Sequence, residues 1–182
     1  MDADTVARVL YFFVPAYLGN MAPVVVRGHA EWLARPMDAG IAWRGRRVLG
    51  DHKTWRGLLA GIVVGALTFA AQRWLWQHGI ARELALLDYG AQDPWTAGAL
   101  LGLGAGLGDA VKSFFKRRFD IAPGGSWLGF DQLDFMVGAY ACVAIVFAPP
   151  LAETIAILPV VFLGGIATTT VGYWLGMKEA WL

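Results

Sequence analysis

The sequence predicts an all-α integral membrane protein with five transmembrane helices, because it combines an apolar composition, five long apolar segments and two basic linkers. Of its 182 residues, 57% are hydrophobic and 16% are charged, and the mean hydropathy is +0.51. Soluble domains carry roughly 25% charged residues. The chain is therefore too apolar for an ordinary soluble domain, and its length suits a single compact unit covering residues 1–182.

Five segments reach the roughly 20 apolar residues that a helix needs to cross the hydrocarbon core of a bilayer. We expect these spans at about 5–26, 55–76, 94–115, 131–148 and 151–175. The first span follows Asp2 and Asp4 rather than a basic stretch, which argues against a secretory signal peptide and for a retained span. Pro149 and Pro150 separate the last two spans, because proline cannot continue a helix, and this pair is predicted to form a helical hairpin.

The distribution of basic residues predicts the orientation in the membrane. Most of the 15 lysines and arginines lie in two linkers, one between spans one and two and one between spans three and four. Loops rich in lysine and arginine stay in the cytoplasm. We therefore expect both basic linkers and the C-terminus to be cytoplasmic, the N-terminus to be outside, and the protein to be a multi-pass protein of the cell membrane.

Glycines repeat every four residues in two of the spans. They are Gly57, Gly61 and Gly65 in span two, and Gly98, Gly102 and Gly106 in span three. Small residues at this spacing let helices approach closely in lipid, either within one chain or between two copies. The dense glycine run 102–108 superficially resembles a nucleotide-binding loop, but it follows no strand and lies within a span. We interpret it as a packing surface, which serves contacts within one chain or, as the alternative, in a homo-oligomer.

Two acids at the start of span four predict a metal site. Asp131 and Asp134 are three residues apart, so on a helix they share one face and can bind a common cation. Oxygen ligands without an accompanying His or Cys favour Mg²⁺, which proteins commonly hold with one or two carboxylates plus substrate phosphates. The alternative is a pair of solvated acids that complement the helix dipole.

Span three ends in a turn that combines an acid with several phosphate-binding groups. Asp109 is a carboxylate within a span, which makes it a functional candidate; the alternative is a local ion pair with Lys112. The candidates for phosphate binding that follow are Lys112, Ser113, Lys116, Arg117 and Arg118. Lysine binds phosphate as a point charge and arginine binds it bidentately. The alternative is a set of cations that contact anionic headgroups.

The first basic linker and span one supply further candidates. Lys53, Thr54 and Arg56 lie where span two begins, and a helix N-terminus binds anions well. The alternative is an ordinary basic turn next to the membrane. Asn20 lies near the end of span one beside Pro23, where broken backbone hydrogen bonds are tolerated if they line a cavity. It therefore predicts a polar pocket for a headgroup, with a simple kink as the alternative.

These motifs together resemble the CTP-dependent phosphatidate cytidylyltransferases, and most closely their small archaeal branch, the CDP-archaeol synthases. The matching motifs are Asn20-Met21-Ala22-Pro23, the run Gly50-Asp51-His52-Lys53-Thr54-Trp55-Arg56-Gly57, Gly108-Asp109, Lys112-Ser113-Phe114, Lys116-Arg117-Arg118, Gly124-Gly125 and Asp131-Gln132-Leu133-Asp134-Phe135. The chain departs from the bacterial pattern at Gln132, where arginine is usual between the acids, and in lacking a lysine-aspartate pair there. The likeness covers nearly the whole chain.

The resemblance implies an enzyme that transfers CMP from CTP to an unsaturated archaeal ether-lipid phosphate of the 2,3-bis-O-geranylgeranylglycerol 1-phosphate type. The products are CDP-archaeol and pyrophosphate. A lipid phosphate is already largely ionised near neutral pH, so the reaction needs alignment and charge neutralisation rather than a strong base. We expect Mg²⁺ on Asp131 and Asp134, phosphate contacts from the cations, lateral entry of the lipid near Asn20, and membrane lipids but no nucleic acid as partners.

Two other classes of membrane protein fit less well. CDP-alcohol phosphotransferases carry an aspartate-rich motif with Asp-Gly and Ala-Arg elements along one helix, and the chain has none. A transporter or flippase for a charged lipid or anion usually binds its substrate near the bilayer midplane and shows repeat symmetry. Here the charges cluster at one face of the membrane and no repeat is visible.

Overall fold

The computed structural model describes residues 2–122 and 125–174, except for the side chains of residues 169 and 171–173. The described chain contains five helices, which are α1 (Ala3–Val25), α2 (Trp55–Gln77), α3 (Pro94–Arg118), α4 (Phe130–Val143) and α5 (Leu151–Trp174). The mostly helical fold class is confirmed. The predicted end of the fifth span, at residue 175, lies outside the described residues.

Three of the connections between these helices are long loops. We call residues 26–54 linker 1, residues 78–93 linker 2 and residues 119–129 linker 3. Linkers 1 and 3 follow α1 and α3, so they lie together at one end of the bundle, which we call the basic end. Linker 2 contains two short 3₁₀ helices, Arg82–Leu84 and Tyr89–Ala91, and lies at the opposite end.

Linker 1 departs from the all-α prediction. It contains a 3₁₀ helix (Glu31–Leu33) and a small antiparallel hairpin of strands β1 (Ala42–Trp43) and β2 (Arg46–Arg47). The two residues between the strands, Arg44 and Gly45, have φ angles of 53° and 75°. Positive φ at both positions is what a two-residue hairpin turn requires. Periodicity alone missed this hairpin because each strand has only two residues.

Side chains at the helix starts cap the free backbone N–H groups. Asp2 accepts from Thr5 N at 2.8 Å, Thr54 Oγ1 accepts from Gly57 N at 3.2 Å, and Asp93 accepts from Thr96 N at 2.8 Å. Such N-caps define where a helix begins because they satisfy donors that have no partner within the helix. The predicted starts of the first three spans are accordingly close to the observed ones.

The predicted fourth span, 131–148, is not helical along its whole length. Helix α4 ends at Val143 and has 14 residues, which at 1.5 Å per residue is about 21 Å and less than the roughly 30 Å of a bilayer core. Its end tightens into a three-residue turn, in which Val146 N donates to Val143 O at 3.0 Å. The Tyr140 hydroxyl then donates to Pro149 O at 3.1 Å and holds the non-helical connection against the helix.

Two of the described helices pass a test of length and apolarity for membrane spans. They are Trp55–Gln77 and Leu151–Thr168, with mean hydropathies of 1.5 and 1.9. Helix α3, which has 25 residues and several glycines, is not among them. Apolar composition therefore supports a membrane location but does not by itself determine the number of membrane spans.

The glycine repeats are packing surfaces, as predicted. Gly65 and Gly98 are in backbone contact, so a Cβ atom on either would overlap the other's carbonyl oxygen. Gly61 lies between Gly102 of α3 and Gly19 of α1. Close backbone contact of this kind is how helices associate in lipid, where apolar side chains gain little from leaving the solvent.

On the opposite face of α3, glycines allow α4 to pack in backbone contact. A Cβ atom on Gly104 would overlap the carbonyl oxygen of Gly138, and one on Gly108 would overlap the carbonyl oxygen of Asp134. The run 102–108 thus packs against two helices at once, and its interpretation as a packing surface is confirmed. This contact brings the first turns of α4 against the last turns of α3 at the basic end.

The apolar core lies towards linker 2. Phe12, Phe69, Tyr89, Leu101 and Ile157 are fully buried there, and Tyr89 enters the core from linker 2 itself. The Phe69 and Tyr89 rings lie 5.0 Å apart. This half of the bundle is filled by apolar side chains, whereas charged and polar groups gather at the basic end.

Candidate active site

Linker 1 is organised around one buried carboxylate. The Asp38 side chain is 2% exposed and accepts hydrogen bonds from the backbone N–H groups of Gly40, Leu49 and Gly50 at 3.1, 2.9 and 3.1 Å. Arg47 Nη2 donates to it at 2.7 Å. Burial acts to raise the pKa of Asp38, but these hydrogen bonds outweigh burial and hold the pKa well below its usual range.

The hairpin of linker 1 is fastened to the end of α3 by two arginines. Arg46 Nη1 donates to Arg118 O at 3.1 Å, while Arg118 donates to Trp43 O at 2.7 Å and to Arg47 O at 2.9 Å. The Trp43 ring stacks on Phe114 of α3, with ring centres 6.0 Å apart and planes 13° apart. Cations are favourable at a helix C-terminus, where backbone carbonyls lack partners. Linker 1 is thereby held over the basic end.

Three carboxylates converge on one ammonium group beneath this linker. Lys112 Nζ lies 3.0 Å from Asp109 Oδ1, 3.0 Å from Asp131 Oδ1 and 2.8 Å from Asp134 Oδ2. Asp109 comes from α3 itself, and the other two come from the first turns of α4. The glycine contact between α3 and α4 makes this convergence possible because no side chain separates the two backbones.

Two further lysines complete the cluster. Lys53 of linker 1 contacts Asp109 Oδ2, and Lys116 of α3 contacts Asp131 at 2.6 Å. Lys116 also donates to Gly125 O in linker 3 at 2.8 Å. Three lysines therefore face three aspartates. The formal charge of this cluster is balanced before any phosphate is bound.

Asp134 is the carboxylate of the cluster whose negative charge is offset by the fewest protein contacts. Its side chain is 6% exposed, and its Oδ1 has no hydrogen-bond partner among the described residues. Its Oδ2 meets Lys112 at 2.8 Å as an ion pair, although the contact lacks the geometry of a hydrogen bond. A buried carboxylate oxygen without a donor is costly. This oxygen is available to a cation.

The donor set fits Mg²⁺ once substrate phosphates contribute. Within the described residues no three His, Cys, Asp or Glu side chains are arranged to hold a metal by themselves. Lys112 Nζ lies among the three carboxylates of the cluster. Two carboxylates plus phosphate oxygens are a common Mg²⁺ environment. A triphosphate would also bring negative charge that the balanced lysine–aspartate cluster does not neutralise.

A cavity of about 1890 Å³ opens beside the cluster. Its polar part is lined by residues of linkers 1 and 3 and the end of α3, including Arg46, Arg47, Asp51, Asp120 and Ser126. Its apolar part runs between α1, α4 and α5 and is lined by Phe13, Val14, Tyr17, Met136, Val160 and Val161. One continuous space therefore offers both a charged region and a groove for apolar chains.

Most of the predicted site residues meet at this cavity. Those that line it are Asn20, Lys53, Asp109, Lys112, Ser113, Lys116, Arg117 and Asp131. Asp134 lies beneath the lining and contacts it through Lys112. The local ion pair considered for Asp109 is present, and it belongs to the larger lysine–aspartate cluster.

Three predicted phosphate ligands are directed elsewhere. Thr54 caps α2 through Gly57 N. Arg56 donates to His29 O and to Glu31 Oε1, each at 2.7 Å, because the 3₁₀ helix of linker 1 lies within its reach. Arg118 is occupied by the carbonyls of the hairpin. None of the three lines the cavity. The structure therefore does not bring them to the cluster.

Sequence reasoning missed residues that the fold places at the site. Asp38 lies in a linker with no recognisable motif, and Arg46 and Arg47 were interpreted only as orienting charges. Arg46 and Arg47 line the cavity, and Arg46 also pairs with Asp120 of linker 3 at 2.7 Å. Sequence spacing gave no signal for these two arginines, because the hairpin that positions their side chains depends on contacts more than 70 residues away in sequence.

Comparison with known proteins identifies relatives across the whole chain. The family profile described as "CarS-like: CDP-archaeol synthase" matches residues 3–182. A CDP-archaeol synthase of Pyrococcus furiosus is 33% identical over 175 residues, which are 96% of this chain and 96% of the relative. One of Methanosarcina mazei is 36% identical over 183 residues, covering 92% of this chain and 99% of the relative.

A solved structure supports the same relationship. It is described as an intramembrane enzyme for archaeal membrane lipid biosynthesis. Its TM-score to this chain is 0.67 at 32% sequence identity, and the match covers 87% of this chain and 90% of the other. The helical arrangement described above is therefore shared with an enzyme that works within a membrane.

Proposed function

Because the chain belongs to the CDP-archaeol synthase family, we propose that it transfers CMP from CTP to the phosphate of an unsaturated archaeal ether lipid. The products are CDP-archaeol and pyrophosphate, and the enzyme is a nucleotidyltransferase located in the membrane. The observation that carries the proposal is the single cavity that joins a lysine–aspartate cluster to an apolar groove. It suits a charged nucleotide at one end and a lipid at the other.

The reaction requires no strong general base. A phosphate oxygen of the lipid attacks the α-phosphorus of CTP, and the bond from that phosphorus to the oxygen bridging to the β-phosphate breaks. The electron pair leaves with pyrophosphate. A phosphate monoester has its second pKa near 6, so the attacking oxygen is already largely ionised at neutral pH. The enzyme must therefore align two anions and offset their repulsion.

The lysines of the cluster would contribute to that charge neutralisation once a divalent cation compensates the carboxylates that they contact. Lys53 of linker 1 and Lys112 and Lys116 of α3 line the same cavity, so all three can contact one triphosphate. Ser113 and Arg117, which line the same region, offer further donors. Positive groups arranged before the substrate arrives stabilise the charge that moves to the leaving pyrophosphate.

Asp131 and Asp134, with Asp109 on the same lysine, are the residues that would hold Mg²⁺. When bound, the ion would neutralise charge on triphosphate oxygens and help to orient them. The support is the buried Asp134 Oδ1, which has no hydrogen-bond partner within the described part of the chain, and the balanced charge of the cluster. Lys112 would then be free to contact phosphate in place of the carboxylates.

The lipid substrate would reach the site from the side of the bundle. Asn20, Tyr17 and Met21 line the cavity where α1 borders it, and Tyr17 and Met21 are 46% and 50% exposed. Apolar residues of α5 line the facing wall, among them Val160 and Val161. An isoprenoid chain can therefore lie along apolar surface while its phosphate meets the cations at the basic end.

We propose that the basic end faces the cytoplasm, with the N-terminus outside and five membrane crossings. The support is the concentration of lysine and arginine in linkers 1 and 3. Helix α4 is too short to cross alone, so the connection at residues 144–150 would complete that crossing. Phe147 of this connection packs against the apolar core and attaches the connection to the bundle.

The deciding experiment measures product formation by purified protein in detergent. CTP, Mg²⁺ and a phosphorylated unsaturated diether lipid should give pyrophosphate and a CDP-lipid in equal amounts. Omission of the lipid, removal of the metal, or replacement of CTP by ATP or GTP should each reduce both products strongly. Folded protein that gives no product with any phosphorylated lipid would contradict the proposal. Lipid movement without consumption of CTP would instead support a transporter.

A further inference from the structure

We propose that Arg47 binds the triphosphate of CTP, and that buried Asp38 is the positioning residue that aims it. This inference rests on the proposed function and deepens it by naming a nucleotide ligand outside the lysine–aspartate cluster. It depends on three properties of Arg47. One edge of its guanidinium group is held, its other edge has an exchangeable partner, and its backbone is fixed to α3.

The held edge lies against Asp38. Arg47 Nη2 donates to Asp38 Oδ1 at 2.7 Å, and Arg47 Nε lies 3.4 Å from Asp38 Oδ2. The remaining acceptor sites of this carboxylate are filled by backbone N–H groups of linker 1. Asp38 therefore cannot turn away, and a buried charged group without its partner would be costly. The guanidinium plane is fixed as a consequence.

The other edge has a partner that is easily replaced. Arg47 Nη1 meets Asp51 Oδ1 at 2.6 Å, and the Asp51 side chain is 75% exposed. Within the described part of the chain, Asp51 has no other hydrogen bond or ion pair. Exposed ion pairs contribute little to stability because water screens them. A phosphate oxygen can take the place of Asp51 while the contact with Asp38 stays intact.

The backbone of Arg47 is fixed in relation to the cluster. Its carbonyl oxygen accepts from Arg118 Nη2 at 2.9 Å, which ties the hairpin to the last turn of α3. The Arg47 side chain lines the same cavity as Lys53 and Lys112. A guanidinium that is already oriented loses little entropy on binding and can pair bidentately with phosphate.

The position of Arg47 favours the nucleotide over the lipid phosphate. Linker 1 lies outside the helices, in the polar part of the cavity, whereas the apolar groove that suits the lipid runs between α1, α4 and α5. CTP approaches from water and meets linker 1 first. Arg47 should therefore affect binding of CTP and leave the affinity for the lipid nearly unchanged.

The test compares four variants by calorimetric CTP binding and by separate KM values for CTP and lipid. Arg47→Gln should weaken CTP binding by about tenfold or more, the expected effect of losing a charged hydrogen bond. Arg47→Lys should recover only part of that loss, because an ammonium keeps the positive charge but lacks the planar set of donors that Asp38 orients. Asp51→Asn should bind CTP at least as tightly as the wild type. Arg44→Gln, in the same hairpin but outside the cavity lining, is the matched control and should leave both KM values unchanged.

Asp38→Asn distinguishes positioning from general loss of structure. It should raise the KM for CTP more than that for the lipid, and most of its effect on the KM for CTP should be absent when Arg47 is already Gln. An Arg47→Gln variant that folds and binds CTP as the wild type does would overturn the inference. Equal increases in both KM values would overturn it as well. Failure of the proposed function is distinguishable, because wild-type protein would then yield no CDP-lipid whatever its affinity for CTP.

Discussion

Lys112 Nζ lies 2.8 Å from Asp134 Oδ2, and this pair lies at the centre of the lysine–aspartate cluster. The same ammonium is within 3.0 Å of Asp109 and Asp131. A lysine thus occupies the position among three carboxylates that a metal ion would compete for. The contact keeps the acids together in the absence of substrate. It also lowers the affinity of these acids for a metal ion when no nucleotide is bound.

Removing that lysine should therefore raise the affinity for a divalent cation. Lys112→Met leaves the three carboxylates without a central positive charge, and a bound cation would recover the lost compensation. We expect Mn²⁺ to bind without CTP about tenfold or more tightly than to the wild type. Electron paramagnetic resonance of free Mn²⁺ measures this directly. Arg44→Gln serves as the control, and unchanged or weaker binding in Lys112→Met would refute the assignment.

Asp134→Asn should nearly abolish turnover in a folded protein. The substitution keeps the size of the side chain and removes the charge from the most buried acid of the cluster. The rate of CDP-lipid formation should fall by about 10²–10³-fold, as for loss of an electrostatic group at a reacting centre. The unfolding temperature in detergent should stay within a few degrees of the wild type. Turnover near the wild-type rate would remove Asp134 from the site.

Lys53 and Arg56 lie close together where α2 begins, but their side chains contact different groups. Lys53 contacts Asp109 and lines the cavity, whereas Arg56 is directed to His29 O and Glu31. We expect Lys53→Ala to lower kcat/KM by about 10²-fold. Arg56→Ala should have a much smaller effect, because the residue lies outside the cavity. Steady-state kinetics with CTP decides this. An equal loss in both variants would restore Arg56 as a phosphate ligand.

Gly104 and Gly138 should tolerate no side chain. A Cβ atom on either would overlap the partner's backbone, so Gly104→Ala must push α3 and α4 apart by a visible amount. We expect a loss of about 1–3 kcal/mol from overpacking and a matching fall in activity, since the separation moves Asp134 away from Lys112. Gly164→Ala on α5 is the control because nothing lies within 4 Å of its added Cβ. Thermal unfolding in detergent measures the stability of the two variants. Equal unfolding temperatures would contradict the packing argument.

Linker 1 should loosen in acid through Asp38. Its pKa in the folded protein is held below the unfolded value of about 3.9, so the stabilisation is fully present above about pH 4 and is lost as the pH falls further. Amide exchange at Leu49 and Gly50, corrected for its intrinsic pH dependence, should therefore increase below about pH 4. Asp38→Asn should exchange quickly at every pH. A wild-type exchange rate that is flat across this range would argue against Asp38 as the organising group.

The helix starts could be predicted because their causes are local. Thr54 caps α2 and Asp93 caps α3 within three residues of the N–H groups that they satisfy. The end of α4 was not predictable in this way. Pro149 and Pro150 indicate only that a helix has ended before them, and the Tyr140 contact that holds the intervening turn depends on packing.

The site shows the same division between local and long-range causes. The sequence by itself determined that cations and acids gather beside a membrane, because composition and spacing fix which end of a span carries charge. It also determined the glycine surfaces, since a four-residue repeat marks one face of a helix wherever the helix lies. These features need no knowledge of what the helix touches.

Only the tertiary structure decided which charged groups meet. Lys112 lies among three aspartates because Gly104 and Gly108 admit α4 closely enough to bring Asp131 and Asp134 within 3.0 Å. Arg118 turns away from the cavity because carbonyls of a hairpin 75 residues distant in sequence accept its hydrogen bonds. A long, flexible cation is directed by whichever acceptor the fold brings within reach, and no spacing in the sequence encodes that choice.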